Sequence, residues 1–389
     1  MLCCARTGPD SEQRGRIEAL LQKGIDWPEL LRLARRHGLM PLCYRGLSAA
    51  CPGAVPAAVL ARLRDLVRIG QASNEYRTGA LLRLLRRLEA VGIPAVPFKG
   101  PVVAVTVYGD LGLRYFSDLD ILIHAHDLPR TRGLLTEEGY QAKKVCLSSQ
   151  QSFVHPASRL LVDLHWGIPL TWWSHIDPER WWERLVSVSL AGTPVRSFAP
   201  EEALLILCVN AAKAFWDVAL KDFCDIAEQI RARPALDWGR VSREARRCRC
   251  QRLLFAGLHL ANDLFGVPLP AEVRRRMKRV RGFEGVAATL RARLLTEESP
   301  PVRPTEYHLW NLQIMDALRD RLRYCGTTLL PAVLRPTERE RALLPLPSCL
   351  AFLHYLLRPL RLARKLLLYL LRPRTVEEKS RSPVRPDGN

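Results

Sequence analysis

The feature that most constrains this chain is a change of hydrophobic period along its length. Residues 11–90 and 200–295 space their apolar side chains as amphipathic helices do. Five short apolar runs lie between these regions and are typical of strands: residues 93–98, 118–124, 140–146, 151–155 and 160–166. Short helices are predicted between these runs, at residues 101–108 and 127–138. The sequence therefore predicts a small core containing a sheet, with helices on both sides of it, which is an α+β architecture.

The length of the chain predicts several domains, because 389 residues exceed one usual hydrophobic core. The predicted segments are an N-terminal helical region (1–90), an α/β core (91–199), a helical domain (200–297), a linker with C-terminal basic helices (298–374) and a disordered tail (375–389). The tail is assigned as disordered because it is polar and rich in Pro, Ser and Arg.

The charge of the chain is strongly basic, with 59 Lys and Arg against 39 Asp and Glu and a formal net charge of +20. Such an excess favours polyanionic partners such as RNA, DNA, nucleotides or anionic lipid. Only nine of the basic residues are lysines, however, and this bias toward arginine is also typical of a genome whose base composition favours arginine codons. A nucleic-acid partner therefore stays an alternative that the charge alone does not favour.

The apolar stretches are too short to span a membrane, and this predicts a cytoplasmic protein. The longest uncharged apolar stretch covers residues 343–357 and contains two prolines, whereas a membrane-spanning helix needs about 20 apolar residues. The first residues lack the basic region and apolar run of a signal peptide. The eleven cysteines are scattered along the chain and are expected to be reduced thiols.

The C-terminal basic segment has two interpretations. Residues 358–374 hold six basic residues and no acid, and Arg358, Arg361, Lys365 and Arg372 fall near one helical face. A basic amphipathic helix of this kind can make peripheral contact with an anionic membrane. Alternatively, its leucines pack on the preceding helices and its arginines are solvated, which is the interpretation we favour.

Two carboxylates on the second predicted strand are the first candidate for chemistry. Alternate side chains of a strand share a face, so Asp118 and Asp120 point the same way, while Leu119, Ile121 and Ile123 occupy the opposite face. Neighbouring carboxylates repel each other unless a cation lies between them. Oxygen ligands on one face of a rigid strand suit Mg²⁺, with phosphate oxygens and water completing its coordination.

A third carboxylate has the same setting in the last predicted strand, where Asp163 and His165 share a face. An aspartate within an apolar strand is costly unless it is paired or binds a metal. If this strand lies beside residues 118–124, three aspartates converge, which is enough to hold two metal ions. His165 has three open roles: it contacts substrate, it orients Asp163, or it is structural.

A short segment upstream of these carboxylates is a candidate phosphate site. Lys99 and Gly100 follow a predicted strand and precede a predicted helix, where glycine permits close approach of the backbone and lysine adds a point charge. Helix N-terminal amides also attract phosphate. Arg114 and Ser117 flank the carboxylates and are candidates for the same phosphates, although Arg114 can instead offset the negative charge.

The order of these motifs resembles the uncharacterised nucleotidyltransferase family of the DNA polymerase β-like superfamily. The residues that carry the resemblance are Lys99-Gly100, Tyr108-Gly109-Asp110, Arg114, Asp118-Leu119-Asp120 and the segment from Val162 to Trp166. Segments before the core, after the core and near the end of the chain also match the style of the family. The resemblance therefore covers most of the chain. The wider superfamily carries Gly-Ser in its phosphate loop, whereas this chain has Lys99-Gly100, as the nearer family does.

The resemblance implies a small mixed-sheet nucleotidyltransferase core flanked by N-terminal and C-terminal helical regions. It also implies that Asp118, Asp120 and Asp163 are catalytic and bind Mg²⁺ or Mn²⁺, and that an NTP and a hydroxyl-bearing acceptor are the substrates. The nucleotide-binding candidates are Lys99, Gly100, Arg114, Ser117 and His165. Two alternatives are a catalytically inactive nucleotide-binding or scaffold protein of the same fold, and a basic factor associated with RNA or membrane.

Overall fold

The structure is a computed structural model that describes most of residues 1–334. The residues within that range that it leaves undescribed are 9, 10, 51, 52, 147, 148, 172, 173, 214, 216 and 297–301. The predicted basic helix at 358–374 and the predicted tail at 375–389 both lie outside the described residues. The chain divides into two compact units, Met1–Asp316 and Ala317–Asn389. The finer division at residues 90, 199 and 297 stays a prediction.

The first unit begins with four helices, as the helical period predicted. They are α1 (Ser11–Gln22), α2 (Trp27–Arg36), α3 (Met40–Ala50) and α4 (Ala57–Ala90). The Asp26 side chain starts α2 by accepting a hydrogen bond from the Glu29 amide at 3.0 Å, which satisfies one of the free donors at a helix N-terminus. The second half of α4 is amphipathic and buries Leu81, Leu84 and Leu88.

The centre of this unit is a five-stranded mixed sheet. Its strands are β1 (Ala95–Phe98), β2 (Asp118–Ile123), β3 (Gln141–Cys146), β4 (Gln150–Val154) and β5 (Leu161–His165). The strand order is β1-β2-β5-β4-β3, in which β2 and β5 are parallel and the other pairs are antiparallel. Two helices connect the strands, α5 (Gly100–Thr106) and α6 (Leu128–Glu137). The predicted small mixed sheet and its five strands are therefore confirmed.

The two faces of this sheet differ in chemistry because side chains alternate along each strand. One face is apolar, and its buried residues include Leu119, Ile121, Ile123, Val162 and Leu164. These belong to the same hydrophobic cluster as the buried leucines of α6 and of the second half of α4. The other face of β2 and β5 carries the aspartates and the histidine described below. The apolar face anchors the sheet, and the polar face is left for chemistry.

Two β-hairpins that the sequence did not predict follow the sheet. The first pairs β6 (Ile168–Thr171) with β7 (Ser174–Ile176), and the second pairs β8 (Val186–Leu190) with β9 (Thr193–Ser197). The second hairpin turns through Ala191 at φ 47° and Gly192 at φ 80°. Such a two-residue turn is usually signalled by Asn-Gly or Asp-Gly, and the Ala-Gly pair lacks that signature.

The rest of the first unit is helical, as predicted. Its helices are α7 (Pro200–Lys213), α8 (Leu220–Ala232), α9 (Trp238–Arg247), α10 (Gln251–Phe265), α11 (Ala271–Met277), α12 (Phe283–Leu295) and α13 (Pro304–Ile314). Their buried residues form one hydrophobic cluster with the N-terminal helices and with Val96, Phe98 and Leu122 of the sheet. The side of the sheet that carries the aspartates therefore faces the helical part of this unit.

The second unit is described only over residues 317–334. It contains α14 (Leu318–Tyr324), a π-helical turn (Cys325–Leu329) and α15 (Leu330–Leu334). Among the helices of the described residues, none has both the length and the apolar character needed to cross a bilayer.

Candidate active site

The candidate site is built on the only parallel pair in the five-stranded sheet, β2 and β5. In this pair Asp120 is the register partner of Asp163, and Leu122 is the partner of His165. Side chains in register on neighbouring strands share a face, so Asp120 and Asp163 lie side by side, with Asp118 two residues earlier on the same face. The sequence argument required β2 and β5 to be neighbours, and they are.

The turn between β1 and α5 brings Lys99 to these carboxylates. Lys99 has φ 57° and ψ −147°, and Gly100 follows with φ 36°. A non-glycine residue in this region of backbone space is strained by roughly 1–3 kcal/mol, and such strain is concentrated at functional sites. The Lys99 Nζ lies 2.7 Å from the Asp120 Oδ1, with 14% of the lysine side chain exposed. The strained turn thus supports a largely buried ion pair.

Asp120 is the most strongly stabilised carboxylate of the site. Its Oδ1 accepts a hydrogen bond from Lys99 and lies 3.0 Å from the Nε2 of His165. Burial by itself would raise the pKa of Asp120, but the Lys99 ammonium and the His165 hydrogen bond outweigh burial and hold the pKa well below its usual range. Asp120 is therefore ionised throughout the neutral pH range.

His165 is buried against Phe98, and the centroids of the two rings are 5.0 Å apart. Burial lowers the pKa of His165 to about 4, although its hydrogen bond to Asp120 opposes this change. The neutral ring therefore holds one proton, and the contact with Asp120 is a hydrogen bond when that proton is on Nε2. The sequence argument considered an orienting role toward Asp163, whereas the hydrogen bond in the structure joins His165 to Asp120.

Asp163 is held at one oxygen and left without a partner at the other. Its Oδ2 accepts a hydrogen bond from the Gln150 Nε2 at 2.7 Å. Its Oδ1 is buried and has no hydrogen-bond partner among the residues that the structure describes. Burial raises the pKa of Asp163; the Ser152 hydroxyl opposes this change and the Asp120 carboxylate reinforces it. A buried carboxylate oxygen without a donor is costly, which makes this atom a natural ligand for a cation.

The donor atoms at this place fit a divalent metal. Asp120, Asp163 and His165 each offer one ligand atom, and these atoms all lie within 4.8 Å of one another. Asp118 is more exposed than Asp120, and burial followed by the charge of Asp120 raises its pKa. Burial is the main cause of the raised pKa values of Asp118 and Asp163, and the Asp120 carboxylate raises both further. A cation bound between the carboxylates would relieve the repulsion from Asp120.

Two of the predicted phosphate-binding residues lie in different surroundings. Arg114 is buried, and its Nη2 lies 2.8 Å from the Asp225 Oδ2 on α8. The Tyr108 hydroxyl donates to the other oxygen of Asp225 at 2.7 Å. The Arg114 charge is thus satisfied inside the protein, which differs from the predicted contact with phosphate. Ser117, by contrast, is exposed and its Oγ lies 3.5 Å from the Asp118 Oδ1.

Three residues near the site are not among the site residues that the sequence predicted. Gln150 was not singled out, because an amide near a strand end has no distinctive pattern. Asp225, on α8, is 1% exposed. Lys213 lies at the end of α7. Burial, together with the charge of Lys99, lowers the pKa of Lys213 to about 7 against the opposing influence of the three aspartates.

Comparisons with solved structures show similarity over parts of the chain. The lincosamide antibiotic adenylyltransferase LnuA in its lincomycin-bound form is 17% identical, with 38% of this chain and 93% of that chain covered and a TM-score of 0.31. The antibiotic-resistance factor ANT(2'')-Ia is 14% identical, with 47% and 97% covered and a TM-score of 0.35. An antigenic nucleotidyltransferase-like protein from Paracoccidioides brasiliensis is 15% identical, with 51% and 95% covered and a TM-score of 0.31.

The comparison with protein-family models covers more of the chain. Residues 23–266, which contain the sheet, the aspartates and the Arg114–Asp225 pair, match the model of the uncharacterised nucleotidyltransferase family. Among curated protein sequences, none matches this chain significantly. The match to this family model identifies the class of the protein as a nucleotidyltransferase. The chain belongs to the uncharacterised nucleotidyltransferase family, as the resemblance implied.

Proposed function

We propose that this nucleotidyltransferase moves a nucleoside monophosphate group from an NTP to a hydroxyl of an acceptor, with release of pyrophosphate. The acceptor oxygen forms a bond to the α-phosphorus, and the bond from that phosphorus to the oxygen bridging to the β-phosphate breaks. The electron pair of the broken bond leaves with pyrophosphate, and the hydroxyl proton passes to solvent. The observation that carries this proposal is the alignment of Asp120 with Asp163, whose buried Oδ1 lacks a donor among the described residues.

The metal-binding part of the proposal assigns three ligands. Asp118, Asp120 and Asp163 would hold Mg²⁺, or Mn²⁺ in its place, because hard divalent cations prefer carboxylate oxygens. Bound there, the ion would lower the pKa of the acceptor hydroxyl and offset the negative charge of the triphosphate. Asp120 suits this role because Lys99 and His165 keep it ionised.

The residues around the carboxylates take two different parts in the proposal. Lys99, Gly100 and Ser117 contact the nucleotide, and the Lys99 ammonium adds positive charge in a largely buried place, where electrostatic attraction is stronger than in water. His165 orients Asp120 through its hydrogen bond. Arg114 fixes the segment that leads into β2 by its ion pair with Asp225. The last two are therefore positioning residues in this scheme.

The decisive experiment is label transfer from the four α-³²P-labelled NTPs with Mg²⁺ or Mn²⁺. The acceptor panel contains sugars, small hydroxylated metabolites, peptides, proteins and RNA, and pyrophosphate release is measured in parallel. The wild-type protein is expected to label at least one acceptor. Asp120→Asn and Asp163→Asn are expected to abolish transfer, whereas Asp65→Asn, an exposed substitution of the same kind on α4, leaves it unchanged.

Two results would count against the proposal. Binding of an NTP without label transfer or pyrophosphate release across the panel would favour the inactive nucleotide-binding alternative. Unchanged transfer in the Asp120→Asn and Asp163→Asn variants would show that the assigned ligands are wrong. Nucleotide binding is measured by calorimetry on the same preparations, so that the two results are separated.

A further inference from the structure

A cavity of about 580 Å³ lies in the helical part of the first unit, outside the candidate active site. Its walls come from α9, the start of α10, α11 and the segment that follows α11, together with Asp316. None of its lining residues belongs to β1, β2, β5 or α7. Its volume falls within the range of about 300–1,000 Å³ that is usual for small-ligand sites.

The cavity is lined by six arginines: Arg243, Arg246, Arg252, Arg276, Arg279 and Arg281. The only acidic residue in the lining is Asp316. Both oxygens of its carboxylate are occupied, since they accept the backbone N–H groups of Gln251 at 2.6 Å and Arg252 at 3.0 Å. The carboxylate thus caps the N-terminus of α10, and the cavity keeps a large excess of positive charge.

The six arginines divide into two groups by their partners. Arg243 pairs with Asp237, Arg276 pairs with Glu272, and Arg252 donates to the Gln313 carbonyl. Within the described part of the chain, the side chains of the other three have neither an ion-pair nor a hydrogen-bond partner: Arg246, Arg279 and Arg281. These three come from different places in the sequence, one on α9 and two after α11, and the fold brings them to one cavity.

Guanidinium groups without partners around one concavity repel each other, and an anion with several negative charges relieves that repulsion. Arginine suits phosphate in particular, because its planar fork donates two parallel hydrogen bonds to two oxygens. The arginine content of the whole chain explains solvated arginines on a convex surface. It does not explain why the partnerless arginines gather in a cavity.

We propose that this cavity is a second binding site, which takes a small anion carrying two or more phosphate groups. A compact polyphosphate is favoured over nucleic acid because the arginines gather around one concavity that opens to solvent, rather than along an extended track on the surface. The site is separate from the proposed catalytic carboxylates and does not depend on their activity.

The test is calorimetric titration of the full-length protein with tripolyphosphate, at about physiological ionic strength and with EDTA present to prevent metal-dependent binding at the aspartates. The test variant is Arg246→Gln/Arg279→Gln/Arg281→Gln. The matched control is Arg62→Gln/Arg64→Gln/Arg68→Gln, which removes three exposed arginines of α4 by the same substitution. A third variant, Asp118→Asn/Asp120→Asn, alters the carboxylate site instead.

The wild-type protein is expected to bind one tripolyphosphate, and the cavity variant is expected to lose about tenfold or more in affinity, because the charge-assisted hydrogen bonds of three guanidinium groups to the anion are removed. The control triple and the aspartate double variant keep the wild-type affinity. An equal loss in the control triple would show that only overall charge matters. A loss in the aspartate variant alone would place the anion at the catalytic carboxylates. Either result overturns the proposal and leaves the proposed transferase function intact.

A second measurement on the wild-type protein does not depend on the folding of any variant. Phenylglyoxal modifies accessible guanidinium groups, and mass spectrometry locates the modified residues. Tripolyphosphate is expected to protect Arg246, Arg279 and Arg281 but not Arg62 or Arg64. A short single-stranded RNA is added as a competitor. If RNA protects these arginines and tripolyphosphate does not, the cavity is part of a nucleic-acid surface and the proposal is wrong.

Discussion

Arg114 and Asp225 are 111 positions apart in the sequence and form a buried ion pair. The Arg114 Nε lies 3.0 Å and 2.9 Å from the two oxygens of Asp225, and the Tyr108 hydroxyl adds a further hydrogen bond. Arg114 precedes β2 by four residues, and Asp225 lies on α8. The pair therefore connects the segment that leads into the candidate active site with the helices that follow the sheet.

Removing one partner of this pair is expected to destabilise the protein strongly. Asp225→Asn leaves a buried guanidinium without its counter-charge, which should cost about 3–5 kcal/mol of unfolding free energy. The control is Asp263→Asn, which breaks a solvent-exposed pair with Arg291 and should cost no more than about 1 kcal/mol. Urea unfolding followed by circular dichroism measures both. Equal losses in the two variants would mean that the buried pair contributes no more than a surface pair.

If Asp118, Asp120 and Asp163 bind the metal ion, replacing any of them should lower the affinity for Mn²⁺. Even residues that only support a metal ligand change affinity by about 10–100-fold, so replacement of a direct ligand should cost at least tenfold. We expect this loss for Asp118→Asn, Asp120→Asn and Asp163→Asn, with Asp65→Asn as the exposed control. Electron paramagnetic resonance of free Mn²⁺ gives the affinities.

In the same measurement, a substitution at His165 distinguishes a positioning role of this residue from a role as metal ligand. If it orients Asp120 without binding the ion, His165→Gln weakens Mn²⁺ binding less than Asp118→Asn does. The reverse order would indicate that the ligand set is Asp120, Asp163 and His165, whose donor atoms lie within 4.8 Å of one another.

Replacement by alanine is expected to have opposite effects on stability at two glycines of α4. A Cβ at Gly70 would lie 2.1 Å from the Tyr115 ring, so Gly70→Ala should destabilise the protein by about 1–3 kcal/mol through overpacking. A Cβ at Gly79 would meet only an Arg83 nitrogen, at 3.6 Å, so Gly79→Ala should stabilise the helix by about 0.5–1 kcal/mol. Thermal unfolding of both variants checks the sign. Stabilisation by both substitutions would show that the Tyr115 ring moves aside without cost.

We expect the stability of the protein to depend on pH through His37, which lies in the N-terminal region. Burial, followed by the charges of Arg36 and Arg32, lowers the pKa of His37 below its ordinary value of 6.5. Its Nδ1 faces α8 and accepts a hydrogen bond from the Leu220 amide at 3.3 Å, while Lys221 packs nearby at Gly38. The folded state therefore favours the neutral ring.

The sign of the effect follows from which state binds the proton first. As the pH falls below about 6.5, the unfolded chain takes up a proton that the folded protein does not. Stability therefore decreases as the pH falls, by at most about 1.4 kcal/mol per pH unit from this residue, until the folded pKa is reached. Urea unfolding between pH 5 and 8 is expected to show a shallower slope for His37→Gln than for the wild type. The same replacement at the exposed His126 serves as the control, and an unchanged slope for His37→Gln would exclude His37 as the source.

The sequence predicted the parts of the site that depend on local spacing. The alternation from Asp118 to Ile123 assigned two aspartates to one face of a strand, because a strand repeats every two residues. The same rule assigned Asp163 and His165 to a common face. The pairing of these two strands was a condition of the argument, and the parallel register of Asp120 with Asp163 meets it.

The contacts that join distant segments were not accessible from local pattern. The Lys99 ion pair with Asp120 requires a strained backbone at Lys99, and the spacing of Lys99 from Gly100 does not reveal that conformation.

The amino-acid sequence by itself determined the period of each segment, and with it the five strands of the central sheet, most of the helices and the face on which each aspartate lies. Only the tertiary structure decided which charges meet: Arg114 with Asp225, Lys99 and His165 with Asp120, and three partnerless arginines around one cavity. The physical reason is that spacing along a helix or strand is fixed by backbone geometry, whereas the partner of a buried charge is set by the packing of segments far apart in the chain.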